Sequence, residues 1–483
     1  MIRKFAVRGR PAVDRKARSM ATRKALRPLT EAGARQKAED LGVRLGMFEE
    51  PGVRIGTAVA GGKRLYGSYE DLHLDIWGPR QGKTSCRAIP AILDAIGPVI
   101  VTSTKRDIVD ATRDVRAENG GKVWVFDPDG VAGEEPTWFW DPLDWTRGEE
   151  IRAARLAAHF AEADTRSDAR DFFEIEAEEL LALLFLAASV GSRPLAQVWE
   201  WVTVPANAEP VELLRRSGRH LAASGLAMMY NTDLRQRDGV FGTAKKMARC
   251  LRFRAAHLWA TPDPDRRKFH PEDLIAESGT LYALAVGGRS SATPLVTALL
   301  ETVLDVAARQ NTPLVIPTLA VLDDAANVVR WRDFPHRCGR YGAQGVVVMT
   351  ILQSWAQGVR CWGPDGMNEL WSAANIKVVG GGVDDIPFLR DRADGIGGAL
   401  GVPELRSLPR ERAVLFASGA PAVLLATEPW WQGPHAAAVR RSIDAHGPGP
   451  TRLANLFDLA GKSVVIPEKY SQAEAEPEEA PPS

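Results

Sequence analysis

The sequence has few cysteines, no net charge and no long apolar run, and each shortage argues against a class of protein. Its 483 residues include four cysteines, at positions 86, 250, 338 and 361, with no C-x-x-C pair. A disulfide-stapled domain and a zinc site are disfavoured, and a reducing compartment is favoured. The longest apolar stretch, Leu180–Val190, is shorter than the roughly 18 residues of a membrane helix. No signal peptide is predicted.

The charge is balanced overall but uneven along the chain. Lys and Arg total 61, as do Asp and Glu, so affinity for nucleic acid would have to come from a local patch. Residues 1–46 carry 13 basic and four acidic side chains. This basic arm suits an anionic partner, either DNA phosphates or the cytoplasmic leaflet of a membrane, or is a solvated, partly helical tail. The acidic, proline-containing end, Ser471–Ser483, is predicted to be disordered.

The middle of the chain predicts an α/β fold with a mainly parallel central sheet flanked by helices. Short, almost continuously apolar segments are typical of strands buried on both faces. The predicted strands are Leu72–Trp77, Val99–Thr102, Val123–Phe126, Thr280–Val286, Leu314–Leu322, Gly345–Ile351, Ile376–Val379 and Ala413–Ala417.

A block rich in Ala, Leu, Glu and Arg interrupts these strands and predicts an all-helical insertion. Five segments follow from this division. They are the basic arm at 1–46, the first part of a nucleotide-binding domain at 47–148, the helical insertion at 149–262, the second part of the nucleotide-binding domain at 263–440, and a C-terminal tail at 441–483.

A glycine turn between the first predicted strand and a helix resembles a phosphate-binding loop. Backbone N–H groups at such a helix start would hold the phosphates of ATP, with Lys83 on the β/γ oxygens and the Thr84 hydroxyl on Mg²⁺. The usual pattern has one more residue, and Trp77 stands where its first glycine is expected. The alternative is an unrelated turn. The predicted nucleotide-binding residues are Gly78, Pro79, Arg80, Gln81, Gly82, Lys83, Thr84 and Ser85.

Two acids, Asp323 and Asp324, directly follow the predicted strand Leu314–Leu322. This places them at the sheet edge where ligands bind in open α/β folds. Asp323 would hold Mg²⁺ through a water ligand, and Asp324 would polarise the attacking water. Hydrolases of this kind more often carry Glu in the second position. Because Asp is one methylene shorter, slow turnover is expected. The alternative is a pair of solvated acids.

A third strand end supplies a candidate sensor. Gln353 follows the strand Gly345–Ile351 and could sense the γ-phosphate, unless it only caps a helix. Arg340, or alternatively Arg337, could act as an arginine finger across a subunit interface, unless both are merely solvent-exposed. The predicted catalytic residues are Lys83, Asp323, Asp324, Gln353 and Arg340.

The order of these segments resembles the TraG/TraD family of conjugative coupling proteins. The similarity covers about residues 70–430. It lies in the number, order and spacing of the motifs, since no single motif is decisive. The matching segments are Leu319–Asn327 for the family's acidic motif, Ile351–Gln357 for its glutamine motif, Gly381–Asp385 for a late glycine–aspartate turn, and Asp171–Leu181 and Val240–Lys245 for the two ends of its helical insertion.

The resemblance implies a RecA-like P-loop ATPase that forms a ring hexamer, binds ATP and Mg²⁺ between subunits, and threads DNA through its channel. It further implies that the helical insertion receives a relaxase or other cargo and that the secretion machinery lies at the inner face of the membrane. Family members normally carry N-terminal membrane helices. Their absence here predicts a cytoplasmic, peripherally bound protein, either with its anchor missing from this start site or from a soluble branch.

Three functions remain open at this point. The leading one is an ATP-driven DNA translocase of type IV secretion. The second is a nucleotide-gated cargo adaptor that binds ATP but hydrolyses it poorly, which the short loop and Asp324 favour. The third is a septal DNA pump of the FtsK/HerA kind, which the position of the long helical insertion disfavours.

Overall fold

A single mixed sheet of 11 strands organises the chain in a computed structural model. The structure describes residues 11–21, 24–164, 171–288, 291–310 and 316–447. Strands β6 and β7 form a separate two-stranded sheet. The strands are β1 Val53–Ala58, β2 Arg64–Gly67, β3 His73–Ile76, β4 Val99–Ser103, β5 Val123–Phe126, β6 Trp138–Phe139, β7 Arg267–Lys268, β8 Thr280–Leu284, β9 Thr318–Leu322, β10 Val346–Leu352, β11 Ile376–Gly380, β12 Arg412–Ala417 and β13 Val423–Ala426.

Seven neighbouring strands of the large sheet run parallel, as predicted. The order is β2-β1-β13-β12-β11-β3-β10-β9-β4-β8-β5, and every pair from β11 to β5 is parallel. Strands β12, β13, β1 and β2 extend the sheet with antiparallel pairs. The carboxyl ends of the seven parallel strands therefore meet along one edge.

Helices cover both faces of this sheet. A π-helical turn, Thr84–Ala88, precedes α2. The helices are α1 Glu31–Asp40, α2 Ile89–Asp94, α3 Asp107–Glu118, α4 Pro142–Thr146, α5 Glu150–Asp164, α6 Phe172–Val190, α7 Leu195–Thr203, α8 Glu209–Arg216, α9 His220–Tyr230, α10 Leu234–Met247, α11 Arg254–Ala260, α12 Pro271–Ala276, α13 Thr293–Gln310, α14 Ala325–Val328, α15 Phe334–Tyr341, α16 Trp355–Ala373, α17 Ile386–Gly395, α18 Val402–Arg406 and α19 Ala436–His446.

The predicted strands agree with the structure in position, and five observed strands lie outside them. Residues 314 and 315 of the predicted strand Leu314–Leu322 lie outside the described residues. The unpredicted strands are the antiparallel β1, β2 and β13 and the short pair β6 and β7. The unpredicted β1 contains Gly56 at a register shift against β2, which interrupts the alternation that usually marks a strand.

The described part of the basic arm packs against the rest of the molecule. The guanidinium of Arg412 on β12 donates to both carboxylate oxygens of Asp14, at 2.7 and 2.9 Å. Ala17 and Ala38 are buried, and α1 lies beside β2. Residues 11–21 and 24–46 are therefore not a free tail, whereas residues 1–10 lie outside the described part.

The other end of the chain also differs from its predicted boundary. Helix α19 runs through residue 440 to His446 and packs on α3. The Ser442 hydroxyl donates to the carbonyl of Asp110, and Arg106 donates to the carbonyl of His446. These contacts fix the helix on the sheet domain, and residues 448–483 lie outside the described part.

The helical insertion comprises α4 to α11 and begins a few residues before the predicted boundary at 149. A capping box starts α6, since Asp171 accepts from the Glu174 N–H and the Glu174 carboxylate accepts from the Asp171 N–H. Buried leucines of α6 pack against α5 and α10. The buried residues of the insertion and those on one side of the large sheet therefore form one continuous hydrophobic cluster.

A buried ionic network fastens the insertion to the sheet domain. His159 on α5 lies 2.6 Å from a carboxylate oxygen of Glu301 on α13. Arg337 on α15 contacts both Glu301 and Asp305, and its guanidinium lies 4.7 Å above the ring of Trp331. Burial opposes the charge of Glu301, but the hydrogen bond from His159 and the nearby arginines hold its pKa below the usual value.

A second buried ion pair ties the start of α2 to the middle of the sheet. Arg87 in the π-helical turn is fully buried and donates to Asp75 of β3 at 3.0 Å. The same guanidinium lies 3.3 Å from the Nδ1 of His73. Burial raises the pKa of Asp75, and Arg87 offsets this rise only in part. Burial and then the charge of Arg87 lower the pKa of His73, which keeps the imidazole neutral.

We expect Asp75→Ala to lower the free energy of unfolding by about 3–5 kcal/mol, because it leaves Arg87 charged and unpaired in the core. Urea-induced unfolding monitored by circular dichroism measures this change. Glu212→Ala is the control, since Glu212 pairs with Arg216 on the exposed surface of α8 and its loss should cost less than about 1 kcal/mol. Equal losses in the two variants would contradict a structural role for the buried pair.

Candidate nucleotide-binding site

Four adjacent strand ends converge at one edge of the sheet. In the order β3, β10, β9 and β4, these strands lie side by side and run parallel. The glycine turn follows β3, Gln353 follows β10, Asp323 follows β9 and Thr104 follows β4. Ligands of open α/β sheets bind at this edge.

The ammonium group of Lys83 lies between the two predicted carboxylates. Its Nζ donates to Asp323 at 2.6 Å and to Asp324 at 2.5 Å. Burial opposes the charge of Lys83, but the two carboxylates outweigh this effect and raise the pKa of the ammonium above its ordinary value. The lysine is therefore charged, and two carboxylate oxygens accept from its ammonium group.

Asp324 is the most heavily bonded member of the cluster. Its Oδ1 also accepts from the Nε2 of Gln353 at 2.8 Å, and its Oδ2 accepts from the hydroxyl of Thr104 at 2.9 Å. Burial favours the neutral acid, but the Lys83 ammonium and these hydrogen bonds hold the pKa of Asp324 below its usual value. The carboxylate is thus ionised and stabilised by three donors.

The backbone at Asp324 has a left-handed conformation, with φ 51°. Among residues other than glycine, Asp and Asn adopt this region most readily because their short side chains tolerate it. This geometry is a physical reason for Asp at a position where related hydrolases more often have Glu. It also directs the chain sharply into α14.

Thr84 and Asp323 provide an oxygen pair suited to Mg²⁺. The Thr84 hydroxyl donates to the Oδ2 of Asp323 at 2.9 Å, so the two groups predicted to serve the metal are adjacent. Hydroxyl and carboxylate oxygens are ligands that Mg²⁺ prefers, together with water and phosphate. Within the described residues, no group of three or more His, Cys, Asp or Glu forms a metal site by itself.

The missing glycine of the phosphate loop is compensated by glycines of a neighbouring strand. Trp77 is fully buried, and a Cβ on Gly380 of β11 would lie 2.1 Å from its indole. A Cβ on Gly78 would lie 2.0 Å from the carbonyl oxygen of Gly382, while the Gly78 N–H donates to the carbonyl of Gly381 at 3.0 Å. The run of three glycines that begins with the last residue of β11, Gly380–Gly382, therefore accommodates the bulky start of the loop.

The remaining loop residues form the turn itself. Arg80 and Gly82 have positive φ, 58° and 96°, which reverses the chain before the π-helical turn. The Ser85 hydroxyl donates to the carbonyl of Gly82 at 3.2 Å. Pro79 and Arg80 are exposed, and Gln81 lies beside Gly382. The turn thus leaves its outer side open to solvent above Lys83.

Two groups near the cluster are absent from the residues predicted above. Thr104 contacts Asp324 directly, and Asp107 at the start of α3 lies close enough for electrostatic coupling to Asp323. Burial, followed by the charge of Asp323, raises the pKa of Asp107. The sequence does carry a signal for them, because both residues follow the predicted strand Val99–Thr102 and parallel strand ends share one edge.

A second layer of amides connects Gln353 to the acidic strand. The backbone N–H of Gln353 donates to the side-chain oxygen of Gln357, whose amide nitrogen donates to Asn327 at 3.0 Å. The Asn327 N–H in turn donates to the carbonyl of Asp324. Asn327 and Gln357 belong to the two motifs quoted above. A shift of Gln353 would therefore change the contacts of Asp324 in two ways. One is the direct hydrogen bond to the Asp324 carboxylate, and the other is the chain of hydrogen bonds through Gln357 and Asn327.

The two candidate finger arginines lie apart from this cluster. Arg337 is occupied by Glu301 and Asp305 in the network described above, which argues against its use as a free finger. Arg340 lies on the exposed side of α15. In the described part of the chain, no hydrogen bond or ion pair joins Arg340 to Lys83, Asp323 or Asp324. Its role across an interface stays a prediction.

One family model matches the chain, over residues 317–400, and describes the TraM recognition site of TraD and TraG. This region contains β9, β10 and β11 and thus the acidic pair and Gln353. No protein of curated function matches the sequence significantly.

Solved structures of a conjugative coupling protein share the fold. The unbound monoclinic form of the bacterial conjugative coupling protein TrwBdeltaN70 matches with a TM-score of 0.58 at 14% identity, covering 83% of this chain and 91% of that one. Plasmid coupling protein TrwB in complex with the non-hydrolysable GTP analogue GDPNP has a TM-score of 0.57 at 15% identity, with 81% and 92% covered. TrwB in complex with the non-hydrolysable ATP analogue ADPNP has a TM-score of 0.51 at 14% identity, and the match covers 75% of this chain and 86% of that one.

The predicted fold class is therefore confirmed as a RecA-like α/β fold with an inserted helical domain. The predicted resemblance to the TraG/TraD family is confirmed by the match to its recognition-site model. Across the residues that the structure describes, none of the helices is both long and apolar enough to span a membrane.

Gly380→Ala tests the packing of the phosphate loop. The new methyl group would collide with Trp77, so we expect a loss of about 1–3 kcal/mol in stability and weaker binding of ATP. Thermal melting and titration with a fluorescent ATP analogue measure these effects. Gly395→Ala is the matched control, because a Cβ at Gly395 meets no atom within 4 Å. Unchanged ATP affinity in Gly380→Ala would contradict the link between β11 and the loop.

Proposed function

We propose that this chain is an ATP-hydrolysing coupling protein that drives DNA transfer in conjugation through a type IV secretion system. The observation that carries the proposal is the cluster of Lys83, Asp323, Asp324 and Gln353 at adjacent strand ends. The match of residues 317–400 to a TraD and TraG segment supports the conjugative setting. The fold shared with TrwB supports both the assignment of the cluster as an ATP site and the conjugative setting.

Binding of ATP requires the cluster to open. The γ-phosphate would take Lys83 from the two carboxylates, exchanging charge-assisted bonds within the protein for equivalent bonds to phosphate. Thr84 and Asp323 would hold Mg²⁺, which offsets the negative charge of the β- and γ-phosphates when it is bound. TrwB has been solved with ADPNP, a nucleotide of the kind proposed here.

Hydrolysis would use the groups that Lys83 releases. Once the ammonium leaves, the pKa of Asp324 rises because the largest influence opposing burial is removed. Asp324 then becomes a better acceptor for the proton of a water that attacks the γ-phosphorus as the bond to the leaving oxygen breaks. Gln353 contacts the same carboxylate and would report the presence of the γ-phosphate to α16 through Gln357.

The remaining parts of the proposal concern assembly and partners. A ring of six subunits would place ATP between neighbours, with Arg340 of one subunit reaching the phosphate of the next. DNA would pass through the ring, and a relaxase or other cargo would meet the helical insertion. The protein would act at the inner face of the membrane, beside the secretion machinery.

A nucleotide-gated adaptor is the second candidate function. The observation that favours it is the contact of Lys83 with two carboxylates, together with Trp77 in place of the loop glycine. Such a protein would bind ATP, change the position of Gln353 and recruit cargo with little turnover. The septal-pump alternative has no comparable observation in its favour.

Asp324→Asn separates binding from hydrolysis. Asn tolerates the left-handed backbone, so the fold should be retained. Loss of one carboxylate weakens the hold on Lys83, and a charge-assisted hydrogen bond is worth about 1.5–3 kcal/mol. We therefore expect about tenfold tighter ATP binding. Turnover should fall by about 10²–10⁴ because the proton acceptor is gone.

A competition assay with a fluorescent ATP analogue and a phosphate-release assay measure the two effects. Asp365→Asn, the same change at an exposed position of α16, should alter neither. Wild-type turnover in Asp324→Asn would contradict the proposed role of this carboxylate as proton acceptor.

Steady-state ATP hydrolysis with and without single- and double-stranded DNA tests the function itself. We expect turnover that DNA stimulates and that Lys83→Ala abolishes, since the ammonium is needed on the β/γ oxygens. Lys122→Ala controls for loss of a positive charge, because Lys122 lies at the surface in a pair with Glu277. ATP binding without turnover under every DNA condition would refute the motor and favour the adaptor.

A further inference from the structure

Two cations approach one tryptophan where α16 and α17 meet β11 and β12. The guanidinium of Arg392 on α17 lies 4.2 Å from the ring centre of Trp371 on α16, and the Nζ of Lys377 on β11 lies 5.6 Å from it. Phe416 on β12 is paired with Lys377 across the strands, and its ring lies 6.1 Å from that of Trp371. We call Trp371, Lys377, Arg392 and Phe416 the Trp371 surface. None of its members belongs to the candidate nucleotide site.

A kink in α16 builds this surface. Gly363 has a positive φ of 72°, which glycine tolerates, and Pro364 follows it, so α16 consists of two helical segments. Trp355 in the first segment lies 5.9 Å from Trp371 in the second, measured between ring centres. In a straight helix, their 16 positions of separation would correspond to ~24 Å. The second segment therefore folds back along the first and brings Trp371 beside Trp355, two residues after Gln353.

Neither cation of the surface has a closely bound carboxylate. As far as the structure describes the chain, Lys377 has no ion pair and no side-chain hydrogen bond. Arg392 pairs with Asp391 at 3.9 Å, and the Asp391 side chain is 71% exposed. Burial, and then the charge of Arg392, lowers the pKa of Lys377, and burial lowers the pKa of Arg392. The fold thus removes part of the water from both charges without neutralising them.

Other partly buried arginines of the sheet domain are neutralised. Arg412 donates to both carboxylate oxygens of Asp14, and Arg106 donates to both of Asp110. In each pair the hydrogen bond to the carboxylate is the main cause that raises the pKa of the guanidinium. The Trp371 surface shows the opposite direction, which is the mark of a cation site without its anion.

The ligand that fits this surface is a carboxylate on a flexible side chain. Two like charges that are close together and partly removed from water favour an anion, which would form charge-assisted hydrogen bonds with both. Only 19% of the Arg392 side chain is exposed, so the anion has to reach into a recess, as a glutamate side chain can. A nucleic-acid strand instead stacks its bases on free aromatic faces. The ring of Trp371 is already contacted by Trp355, Phe388 and Phe416.

We propose that the Trp371 surface binds the acidic segment 471–483 of this chain, from the same molecule or from a neighbouring copy. The segment has four glutamates and no Lys or Arg, so its charge is complementary to the surface. The four are Glu474, Glu476, Glu478 and Glu479.

The length of chain after α19 permits this contact. Glu474 follows Gly447, the last described residue, by 27 positions. An extended chain of that length spans up to ~90 Å, whereas a compact chain of 483 residues is roughly 60 Å across. Tethering also raises the effective concentration of the segment to the order of mM, so contacts that are weak between separate molecules are sufficient within one.

The inference goes beyond the proposed function, because the contact requires neither nucleotide nor DNA. Its position gives it a consequence for the candidate site, since Trp355 and Trp371 belong to the helix that begins directly after Gln353 and Ser354. The acidic segment would thus be an internal ligand of the helix that follows the glutamine sensor.

Fluorescence anisotropy of a labelled peptide with the sequence of residues 471–483 tests the proposal. The acceptor is the full chain with Glu474→Gln/Glu476→Gln/Glu478→Gln/Glu479→Gln, which cannot cover the surface with its own glutamates. In this acceptor, Lys377→Gln/Arg392→Gln removes both cations. Lys63→Gln/Arg64→Gln, at the exposed turn between β1 and β2, is the charge-matched control. Thermal melting shows whether each variant is folded.

A second arm leaves the sheet domain unaltered, so it does not depend on how the variants fold. The labelled peptide is replaced by one in which the four glutamates are glutamine, and its affinity for the same acceptor is measured. In a third arm, the original peptide is titrated with the wild-type chain, whose own segment should compete for the surface.

We expect the peptide to bind the acceptor and its control variant equally. Affinity should fall about tenfold or more when both cations are lost, and likewise when the peptide carries glutamine, since charge-assisted hydrogen bonds are removed. The wild-type chain should bind the peptide about tenfold more weakly than the acceptor does, because its tethered segment competes.

Four results would overturn the proposal. They are no binding to the acceptor, binding that survives the loss of both cations or of the four glutamates, an equal loss in the control, and equal affinity in the wild-type chain and the acceptor. Tighter binding of a labelled dT20 strand that depends on Lys377 and Arg392 would also overturn it, by assigning the surface to nucleic acid.

Discussion

The contact of one ammonium group with two carboxylates organises the candidate site. Lys83 comes from the loop after β3, and Asp323 and Asp324 come from the end of β9, with β10 between them. These charges are largely shielded from water, and the charges of Lys83 and Asp324 stabilise each other: the carboxylates raise the pKa of Lys83, and the ammonium helps to lower the pKa of Asp324. Gln353 and Thr104 complete the set by donating to Asp324. The site is therefore one electrostatic unit whose hydrogen bonds join the residues that follow four neighbouring strands.

Much of this unit can be predicted from the sequence because it depends on local pattern. Buried parallel strands are continuous apolar runs, and polar residues after such runs must meet at one edge. That reasoning alone predicts that Lys83, Asp323 and Gln353 are neighbours. The same reasoning applied to Val99–Thr102 adds Thr104 and Asp107. The positions of both residues at the site can therefore be predicted from the sequence, because the prediction requires only the rule that the ends of parallel strands share one edge of the sheet.

Other features depend on contacts between distant parts of the chain. Asp14 is held by Arg412, 398 residues away, so composition alone makes residues 11–46 look like a solvated arm. Strands β1, β2 and β13 are short or interrupted and gain their stability from antiparallel neighbours. In the sequence Arg337 looks available as a finger because the acids that bind it, Glu301 and Asp305, lie on another helix.

The packing of Trp77 against Gly380 has a consequence for how such sequences can diverge. A small residue at 77 alone would leave a cavity of nearly the volume of an indole, and a side chain at 380 alone would clash with the ring. Each single replacement is penalised, whereas the double exchange can restore packing. The two positions should therefore covary among homologues, and a chain with the standard loop glycine at the first position is free to carry a larger residue at the second.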